Sequence, residues 1–403
     1  MNLQRSFFDY QGKKLRLEEI NTAMEDPGFW NNKVSTTKPE LQVALQKLSK
    51  ATPTRSTLPI LSNVLFVVEE NETTLRTTDL EITISLKLPA SVEMAGSICI
   101  PLQTLLNLTN EMPEEARITI TAKEDNNIEI NTDVGSYDIV GKPADEFPAT
   151  PEIDNRKSAV LKSDILSELI QKTSFAVSKD ELKPALSGVL FRFDKKSITS
   201  VATDGHRLVK YIIEGTESGG FMGDIIIPRK FLSLVGNLLS SAEEAKLWFG
   251  ESHMTLAFGD DVYYTRIIGE RFPDFDGVIP KDSDKELVIK REALLSAVRR
   301  VSVFSNRSTQ QIALVLSGEK LQVTTEDPEK SSKGKENLEG KYKGEEITVG
   351  YNAVYLKDIL SHMPTDEITI KLKTSISAAL FFPNKETEKR DLTMLLMPIR
   401  LND

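Results

Sequence analysis

Apolar residues recur at every second position between Val189 and Phe193, which is the period of a half-buried β-strand. The polar residues 194–196 then predict a tight hairpin turn, and residues 197–202 predict the returning strand. Residues 203–207, TDGHR, close this stretch and predict a sharp polar corner. The pattern therefore indicates a β-hairpin that is followed by a turn.

The same pattern occurs twice more, at residues 61–84 and 312–329. Leu65, Leu190 and Leu316 are predicted to hold the same position of this unit, and they are spaced by 125 and 126 residues. A supersecondary unit that recurs at a long, constant period indicates copies of one domain. After a leading segment, 1–32, we therefore predict three homologous domains: 33–156, 157–283 and 284–403.

Each copy is predicted to contain two amphipathic helices, each followed by several alternating strands. The six predicted helices are 39–50, 102–110, 163–173, 229–239, 291–301 and 352–362. This order predicts an α+β domain built of two halves, with helices on one face of antiparallel sheet. Residues 328–345 are highly charged, and we expect them to form a solvated loop at a hairpin tip.

The leading segment does not fit the repeat. Residues 13–24, KKLRLEEINTAM, predict a helix that ends before Pro27 and Gly28. The stretch FDYQGKKLRLEEINTAMEDPGFWNN resembles the N-terminal region of bacterial peptide chain release factor two, although it carries no decoding or hydrolysis motif. We interpret it as an appendage without a ribosomal activity of its own.

Composition limits the class of protein. Length and ordinary apolar content fit about three soluble globular domains. No stretch approaches the ~18 uninterrupted apolar residues of a membrane span, and the N-terminus has no secretory signal pattern. Cys99 is the only cysteine, which excludes an intrachain disulfide and favours a reducing cytoplasm. We therefore expect a cytoplasmic protein without membrane attachment.

Charge is unevenly distributed. The six predicted helices, taken with their flanking residues, have a summed charge of +7. Because the net charge of the chain is −10, the remaining residues carry −17. If all helices face one way, that side attracts phosphate groups while the rest of the surface repels them. Chance scatter of surface charge is the alternative. With the repeat, the uneven charge favours a curved array whose helical side meets duplex DNA without reading its sequence.

Motifs for catalysis are missing from the sequence. His206, His253 and His362 are the only histidines, and neither a G-x-S-x-G nor an H-E-x-x-H motif occurs. No phosphate-binding loop of the form G-x-x-x-x-G-K-[ST] is present either. The aspartates that recur in the three copies, Asp79, Asp204 and Asp327, are expected to accept backbone N–H groups in turns rather than to bind metal. We predict no catalytic residue, no metal site and no cofactor.

Several longer motifs occur in a fixed order. They are RSTLPILSNVLF, KPALSGVLF, VATDGHRLV, IPRKF, GERFPDFDGVIP and MPIRL. Together they resemble the β subunit of bacterial DNA polymerase III, the sliding-clamp family, over residues 33–401. The resemblance implies a head-to-tail homodimer, closed into a ring of six domains, with helices inside and sheets outside. Such a ring encloses double-stranded DNA and tethers the polymerase. The implied protein partners are the polymerase III α subunit, the clamp-loader complex and other proteins with a clamp-binding motif.

The resemblance also implies a pocket for partner peptides between the second and third copies. Its deep part would be formed by Leu186, Thr203, Gly205, His206, Arg207, Leu208, Pro273, Val278, Leu395 and Met397. Its shallow part would be formed by Asn352, Tyr355, Pro398 and Ile399. An apolar trough with a few polar groups suits a short peptide. Taken singly, each apolar member would be read as ordinary core.

The remaining functional residues are implied in the same way. Arg55, Arg229 and Lys230 would contact DNA, and Tyr137 of one subunit would meet Val303 and Phe304 of the other. Two departures from the family pattern stand out. Pro184 and Ala185 replace a tyrosine pair found in some members. Residues 31–34 replace the beginning of the usual first strand, so we expect part of that strand to be lost and the first domain to be weakened there. The competing hypothesis is a non-enzymatic repeat scaffold that binds only proteins.

Overall fold

The computed structural model describes residues 32–401, except 54, 124, 152–156, 240–241, 319 and 386–387. The predicted helix 13–24 and the release-factor-like segment lie outside the described residues. The first strand, Asn32–Thr37, pairs on both sides, with Ser91–Met94 and with Arg117–Ala122. The expectation that this strand would be weakened is therefore wrong from Asn32 onward, since the substituted residues still supply alternating buried positions.

Six helices are described, two in each predicted copy. They are α1 Lys38–Leu48, α2 Leu102–Glu111, α3 Ser163–Thr173, α4 Arg229–Val235, α5 Arg291–Val301 and α6 Ala353–His362. The predictions for α3 and α5 are confirmed, whereas the helix predicted at 229–239 ends at Val235, directly before Gly236. Each helix buries one stripe, as in α1, where Leu41, Leu45 and Leu48 are fully buried.

The strands account for most of the remaining described chain. They are β1 Asn32–Thr37, β2 Asn63–Val68, β3 Thr73–Thr78, β4 Ile82–Leu88, β5 Ser91–Met94, β6 Gly96–Pro101, β7 Arg117–Ala122, β8 Asn127–Thr132, β9 Gly135–Val140, β10 Ser158–Lys162, β11 Gly188–Phe193, β12 Ser197–Thr203, β13 Arg207–Glu214, β14 Gly223–Pro228, β15 Glu244–Phe249, β16 His253–Phe258, β17 Asp261–Arg266, β18 Lys285–Lys290, β19 Gln311–Ser317, β20 Lys320–Asp327, β21 Ser332–Glu339, β22 Lys341–Lys343, β23 Ile347–Asn352, β24 Glu367–Leu372, β25 Ala379–Pro383 and β26 Arg390–Leu396. The order strand, helix, strands, helix, strands occurs three times, which agrees with the predicted α+β fold of three repeated domains.

The chain forms two compact units. The first contains the described residues up to 151 together with Lys246–Arg266. One of its sheets has the order β5-β1-β7-β8-β9, and the other runs β15-β16-β17-β4-β3-β2-β6. β4 and β17 come from different copies, and they pair antiparallel with Thr83 opposite Tyr264. The sheet that contains β4 and β17 continues from the first copy into the second, and we call it the first junction sheet.

The second unit contains the described residues of 157–245 and 267–401. Its large sheet has the order β14-β11-β12-β13-β26-β25-β24-β18-β22, and a smaller sheet runs β21-β20-β19-β23. β13 of the second copy pairs antiparallel with β26 of the third, with Leu208 opposite Leu395. This large sheet is therefore the second junction sheet. All pairings named here are antiparallel, as the hairpin pattern predicted.

Two predictions in the third copy are wrong. In each of the first two copies a proline precedes the second helix, Pro101 or Pro228, and it pairs with a residue of the neighbouring strand. Leu65 and Leu190 lie two positions after that paired residue. In the third copy the residue that precedes the second helix is Asn352, its partner is Gln311, and the equivalent position is Ala313 rather than Leu316. Only nine residues separate α5 from β19, against fourteen between α1 and β2 and between α3 and β11, so the leucine spacing no longer marks equivalent positions and the prediction is displaced by three residues.

The second wrong prediction is the charged loop at 328–345. Most of this segment forms β21 and β22, and β21 pairs with β20 along its whole length, from Asp327–Ser332 to Lys320–Glu339. Its charged side chains alternate with less exposed ones, so composition concealed a strand at the edge of a sheet.

Candidate functional site

An apolar cluster lies on one face of the second junction sheet. Its buried members are Leu190, Val201, Leu208, Ile226, Phe275, Ala378, Leu380 and Leu395, and Ile268, Phe272, Ile279 and Phe382 pack against them partly exposed. Cross-strand pairing aligns its centre, because Val201 lies opposite Leu190 and Leu395 lies opposite both Leu208 and Leu380. Residues paired in this way project to the same face of a sheet, so the strands build a continuous apolar floor.

A tight corner between β12 and β13 borders this floor. The Asp204 carboxylate accepts the backbone N–H groups of His206 at 2.9 Å and Arg207 at 3.0 Å, as predicted for a turn-forming aspartate. Gly205 adopts a φ of 89°, which a residue with a side chain rarely tolerates. The Thr203 hydroxyl donates to the Arg207 carbonyl at 2.7 Å. This corner leaves the His206 ring exposed and turns Arg207 inward.

The same role is confirmed for Asp79, whose carboxylate accepts from the N–H groups of Glu81 and Ile82. Asp327 differs. Its buried carboxylate accepts from the Asn306 amide at 3.3 Å and lies 3.9 Å from the Lys330 ammonium. The prediction of backbone capping is wrong at Asp327, because the chain after it continues into a short 3₁₀ turn instead of a corner.

Arg207 is the centre of a polar network. Its guanidinium donates to Asp204 Oδ2 at 3.1 Å, to Asp358 Oδ2 at 2.5 Å and to the Phe175 carbonyl at 2.9 Å. Only 7% of its side chain is exposed, against 41% for Asp358. Because a buried guanidinium requires partners for its N–H groups, these three acceptors hold it in one orientation.

Aromatic rings stack around this guanidinium. It lies 4.9 Å from the centre of the Tyr355 ring and 5.4 Å from that of Phe175. His206 stacks on the outer side of Tyr355, and His362 stacks on Phe175 while its Nδ1 lies 2.7 Å from the Asp358 carbonyl. Burial, followed by the charge of Asp204, raises the pKa of the Tyr355 phenol, which therefore stays neutral near pH 7. Residues from the second and third copies thus form one rigid wall.

The C-terminal segment closes the site. The Met397 N–H donates to the His206 carbonyl at 2.8 Å, and the Ile399 N–H donates to the Gly350 carbonyl at 2.9 Å. A side chain at Gly350 would begin 2.7 Å from the Ile399 carbonyl oxygen, so this close approach requires glycine. Met397 is 41% exposed, beside the corner. Pro398 and Ile399 are half-buried.

The predicted pocket residues thus fall into distinct environments. Leu208 and Leu395 belong to the floor, Thr203, Gly205, His206 and Arg207 form the corner, and Tyr355 lies in the wall. Pro273 and the 55%-exposed Val278 flank the buried Phe275. Leu186 is half-buried, and its carbonyl accepts the Ser178 N–H. The Asn352 side chain caps α6 by accepting from Val354 and Tyr355.

Three residues of the wall were not predicted: Phe175, Asp358 and His362. The spacing of Tyr355, Asp358 and His362 at i, i+3 and i+7 places them on one side of α6, which is a signal the sequence did contain. Phe175 follows α3 in a short 3₁₀ turn, and no pattern in the sequence indicated its contact with a residue almost two hundred positions away.

The candidate DNA contacts are surface residues. Arg55 and Lys230 are exposed and Arg229 is half-buried. Several helix cations that entered the charge sum are paired locally, because Lys38 binds Glu114, Lys47 binds Asp261 and Arg300 binds Glu336 through two hydrogen bonds. Exposed helix-associated cations that were not singled out include Lys50, Lys290 and Arg299.

The candidate subunit contacts lie beside two sheet edges. Tyr137 is on β9, the last strand of its sheet. Val303 is 78% exposed and Phe304 is 45% exposed, in the 3₁₀ turn that follows α5. The Phe304 carbonyl accepts from the Ser332 hydroxyl of β21, the edge strand of the smaller sheet in the second unit.

Within the part of the chain that the structure describes, each helix is too short or too polar to cross a lipid bilayer. Among the same residues, His, Cys, Asp and Glu side chains nowhere gather in threes as metal ligands would. Burial raises the pKa of the Cys99 thiol well above its ordinary value, so this cysteine stays protonated and unreactive.

Comparison with known proteins gives a consistent family. Models of the DNA polymerase III β subunit match in three successive parts, its N-terminal domain over 33–151, its central domain over 160–274 and its C-terminal domain over 276–400. The β sliding clamp of Pseudomonas putida is 30% identical over 362 residues, which cover 89% of this chain and 96% of that protein. The β sliding clamp of Vibrio cholerae is 29% identical over 360 residues, with the same coverage.

Solved structures agree. The Pseudomonas aeruginosa sliding clamp bound to griselimycin superposes with a TM-score of 0.86 at 28% identity, covering 92% of this chain and all of that one. The β sliding clamp of C. crescentus gives a TM-score of 0.87 at 26% identity, with the same coverage. These matches extend over almost the whole described chain, through both junction sheets. The chain therefore belongs to the DNA polymerase III β-subunit family, the bacterial β sliding clamps.

Proposed function

We propose that this chain is a DNA polymerase processivity factor, two copies of which close head to tail around duplex DNA. In this proposal each subunit contributes three domains, 33–156, 157–283 and 284–403. The observation that carries the proposal is a pair of strands at the ends of sheets. Neither β9 nor β21 has a second strand neighbour among the described residues.

The two junction sheets suggest how these edges are used. In each of them, the strand that follows the polar corner of one copy pairs with the last strand of the next copy, β4 with β17 and β13 with β26. In the third copy the strand in this place is β21, and within the described part of the chain no strand of a next copy pairs with it. The same holds for β9, the last strand of the first copy. Pairing β21 of one subunit with β9 of another repeats the junction a third time and, applied twice, closes a dimer.

The repeat also predicts the register of this contact. Lys333 holds the same place in its copy as Thr83 and Leu208 hold in theirs, because each of the three pairs with the equivalent residue of the preceding strand. Asp138 precedes the bridging residue Lys142 by four positions, as Tyr264 and Leu395 precede Ile268 and Ile399. Because Thr83 faces Tyr264 and Leu208 faces Leu395, Lys333 is expected opposite Asp138 of the partner.

The neighbouring pair in this register is chemically suitable. Tyr137 would lie opposite Gly334, whose missing side chain leaves space for the ring. A β-carbon at Gly334 would lie 3.0 Å from the Phe304 ring, so the tyrosine would also reach Phe304. Opposite charges at Lys333 and Asp138 favour the pairing across the strands.

For DNA, we propose non-specific contacts by Arg55, Arg229 and Lys230, with Lys50, Lys290 and Arg299 as additional phosphate ligands. Lysine and arginine side chains bind phosphates without reading base sequence, which suits a protein that moves along the duplex. Retention would come from ring closure, so a chain with a net charge of −10 does not need high affinity for DNA.

For proteins, we propose that the apolar floor and the Arg207 wall bind short peptide segments of the polymerase III α subunit, the clamp loader and other clamp-binding proteins. A half-exposed apolar trough beside fixed polar groups is the usual form of such a site. In this role the chain acts in the cytoplasm and has no catalytic site of its own.

The dimer is tested by exchanging charges at the predicted register. Asp138→Lys and Lys333→Asp should each weaken the dimer in sedimentation equilibrium, and the double variant should recover most of the loss. Asp133→Lys, on the turn before β9, serves as a matched control and should leave the dimer unchanged. A double variant weaker than either single variant would contradict the register.

The topological function is tested with DNA. After loading by the cognate clamp loader, the protein should stay on closed circular DNA and leave linear DNA through its ends. Equal retention on circles and linear molecules would support the scaffold that binds only proteins. A charge-reversed dimer variant, Lys333→Asp, should lose retention on circles as well.

A further inference from the structure

A buried arginine on the first junction sheet lacks a counter-charge. Arg76, in the middle of β3, is only 4% exposed, and its Nε has no hydrogen-bond partner among the described residues. Burial lowers the pKa of its guanidinium, and among the described groups only Tyr264 acts to raise that pKa. No carboxylate of the described chain therefore lies close enough to balance the charge of Arg76. An unpaired buried charge is strongly unfavourable, so the position calls for an anion.

Other polar groups lie on the same face of the sheet as this arginine. Arg76 lies opposite Ser85 on β4, and Thr83, two residues earlier, shares that face and lies opposite Tyr264. Thr255 lies opposite Tyr264 on the next strand, is fully buried and has a hydroxyl without a partner. Burial raises the pKa of Tyr264, which keeps its phenol protonated. Two donors of neutral charge thus accompany the guanidinium.

The equivalent positions of the second junction sheet show how unusual this group is. Val201 takes the place of Arg76, Leu208 that of Thr83, Leu395 that of Tyr264 and Leu380 that of Thr255. Those residues form the apolar floor of the candidate peptide pocket. The first junction therefore has the same framework with a polar lining, and the apolar peptide side chains expected in the second junction would not match it.

Solvent reaches the edge of this group. Across the sheet from Arg76, the row continues through Ser85, Val262 and Ala257, and all three are half-exposed. A ligand of a few atoms could approach along this row. A planar guanidinium donates two parallel hydrogen bonds to a carboxylate or phosphate, which an isolated chloride cannot accept.

We propose that Arg76, Thr255 and Tyr264, here called the anion patch, bind a small oxyanion, either a phosphate or a carboxylate. The site is distinct from the candidate peptide pocket and from the DNA-contacting residues. Two sources share this chemistry, free phosphate and a carboxylate group, and the probes below distinguish them.

The experiment compares sodium phosphate, sodium acetate and sodium chloride at equal ionic strength by thermal unfolding of the full chain. We expect phosphate or acetate to raise the midpoint by about 2 °C at roughly ten times its dissociation constant. Stabilisation by phosphate alone assigns a phosphate ligand, and stabilisation by acetate alone assigns a carboxylate. Arg76→Met should abolish the response, whereas Arg117→Met, at an exposed position of the same unit, should retain it.

Two results would overturn the proposal. The first is an equal response of the wild-type chain and Arg76→Met. The second is the lack of any response in the wild-type chain together with a lower midpoint of Arg76→Met in chloride, which would mean that the arginine is satisfied within the chain. If Arg76→Met fails to fold, titration calorimetry of the wild-type chain with phosphate and acetate decides, and no heat of binding for either would exclude the site.

Discussion

The two junction sheets share one framework and differ in what covers it. Both place a hairpin, a polar corner and the last strand of the next copy in the same register. On the face turned away from α1 and α3, the second sheet has Val201 and Leu395 where the first has Arg76 and Tyr264. Backbone pairing sets the framework, and the side chains at four equivalent positions decide which ligand it suits. A repeated domain can therefore carry different sites at equivalent places without a change of fold.

The largest expected effect comes from moving the charge between the sheets. Val201→Arg places a guanidinium in the apolar floor, and we expect the affinity for a labelled clamp-binding peptide to fall by about 100-fold, since the charge would have to be desolvated. Fluorescence anisotropy measures this affinity, with circular dichroism to check folding. Val201→Thr, which only adds a hydroxyl, should fold and weaken binding by about tenfold or less.

The reciprocal exchange is the control. Arg76→Val should change peptide affinity by less than about twofold, because the first junction lies outside the proposed pocket. Equal losses in Val201→Arg and Arg76→Val would mean that peptide binding depends on general stability and not on the second junction.

An effect of similar size, on stability rather than on affinity, is expected at the corner. Arg207→Ala should lower the free energy of unfolding by about 3 kcal/mol in urea, because Asp204 is left nearly buried without its partner. In the first copy the equivalent residue is Ile82, which is apolar. In the double variant Arg207→Ala/Asp204→Ala, the loss of unfolding free energy should therefore be smaller than the sum of the losses in the two single variants. The losses in Ile82→Ala and Asp79→Ala should instead add within about 0.5 kcal/mol. Additivity in both copies would remove this distinction.

The corner aspartates themselves should differ in the same direction. Asp79→Ala removes an acceptor of two backbone N–H groups and should cost about 1 kcal/mol in urea unfolding. Asp204→Ala also frees one side of Arg207, so we expect about 2 kcal/mol. A larger loss at Asp79 than at Asp204 would contradict the role assigned to the Arg207 network.

The smallest effect is a pH dependence on the opposite face of the second junction sheet. Burial alone would raise the pKa of Glu168, but hydrogen bonds from Arg390 and Tyr211 outweigh it, and the net shift is downward. A lowered pKa contributes stability that is complete above the unfolded value of about 4.3 and is lost as pH falls through the folded value. The equivalent position of α1 is Val43, which cannot titrate.

Urea unfolding at pH 7 and pH 3.5 measures this contribution. The wild-type chain should lose more stability on acidification than Glu168→Gln, by less than about 1 kcal/mol since the carboxylate is partly exposed to solvent. Val43→Gln should leave the pH dependence unchanged. An identical pH dependence of the wild-type chain and Glu168→Gln would show that the Arg390 contact contributes nothing measurable.

Much of the fold was predictable because it depends on local patterns. The strand from Val189 to Phe193 and the corner at Asp204 depend on side chains that are neighbours in sequence, and both are confirmed, although the strand is buried on both faces rather than on one. The helices 163–173 and 291–301 were predicted to the residue from their apolar stripes. The third copy was harder, since its shorter connection between α5 and β19 moved the equivalent of Leu190 to Ala313 and a charged edge strand looked like a loop.

The sequence by itself determined the repeated α+β units, the turn-forming aspartates of the first two copies and the motifs that indicate the family, because each of these is written in spacing along the chain. Only the tertiary structure decided which strands meet at the junctions, and therefore that Arg207 lies between Phe175 and Tyr355 and that Arg76 lies beside Tyr264. These contacts join residues more than thirty positions apart, and their strength depends on burial. Neither the partner nor the burial of a side chain can be read from its neighbours in sequence.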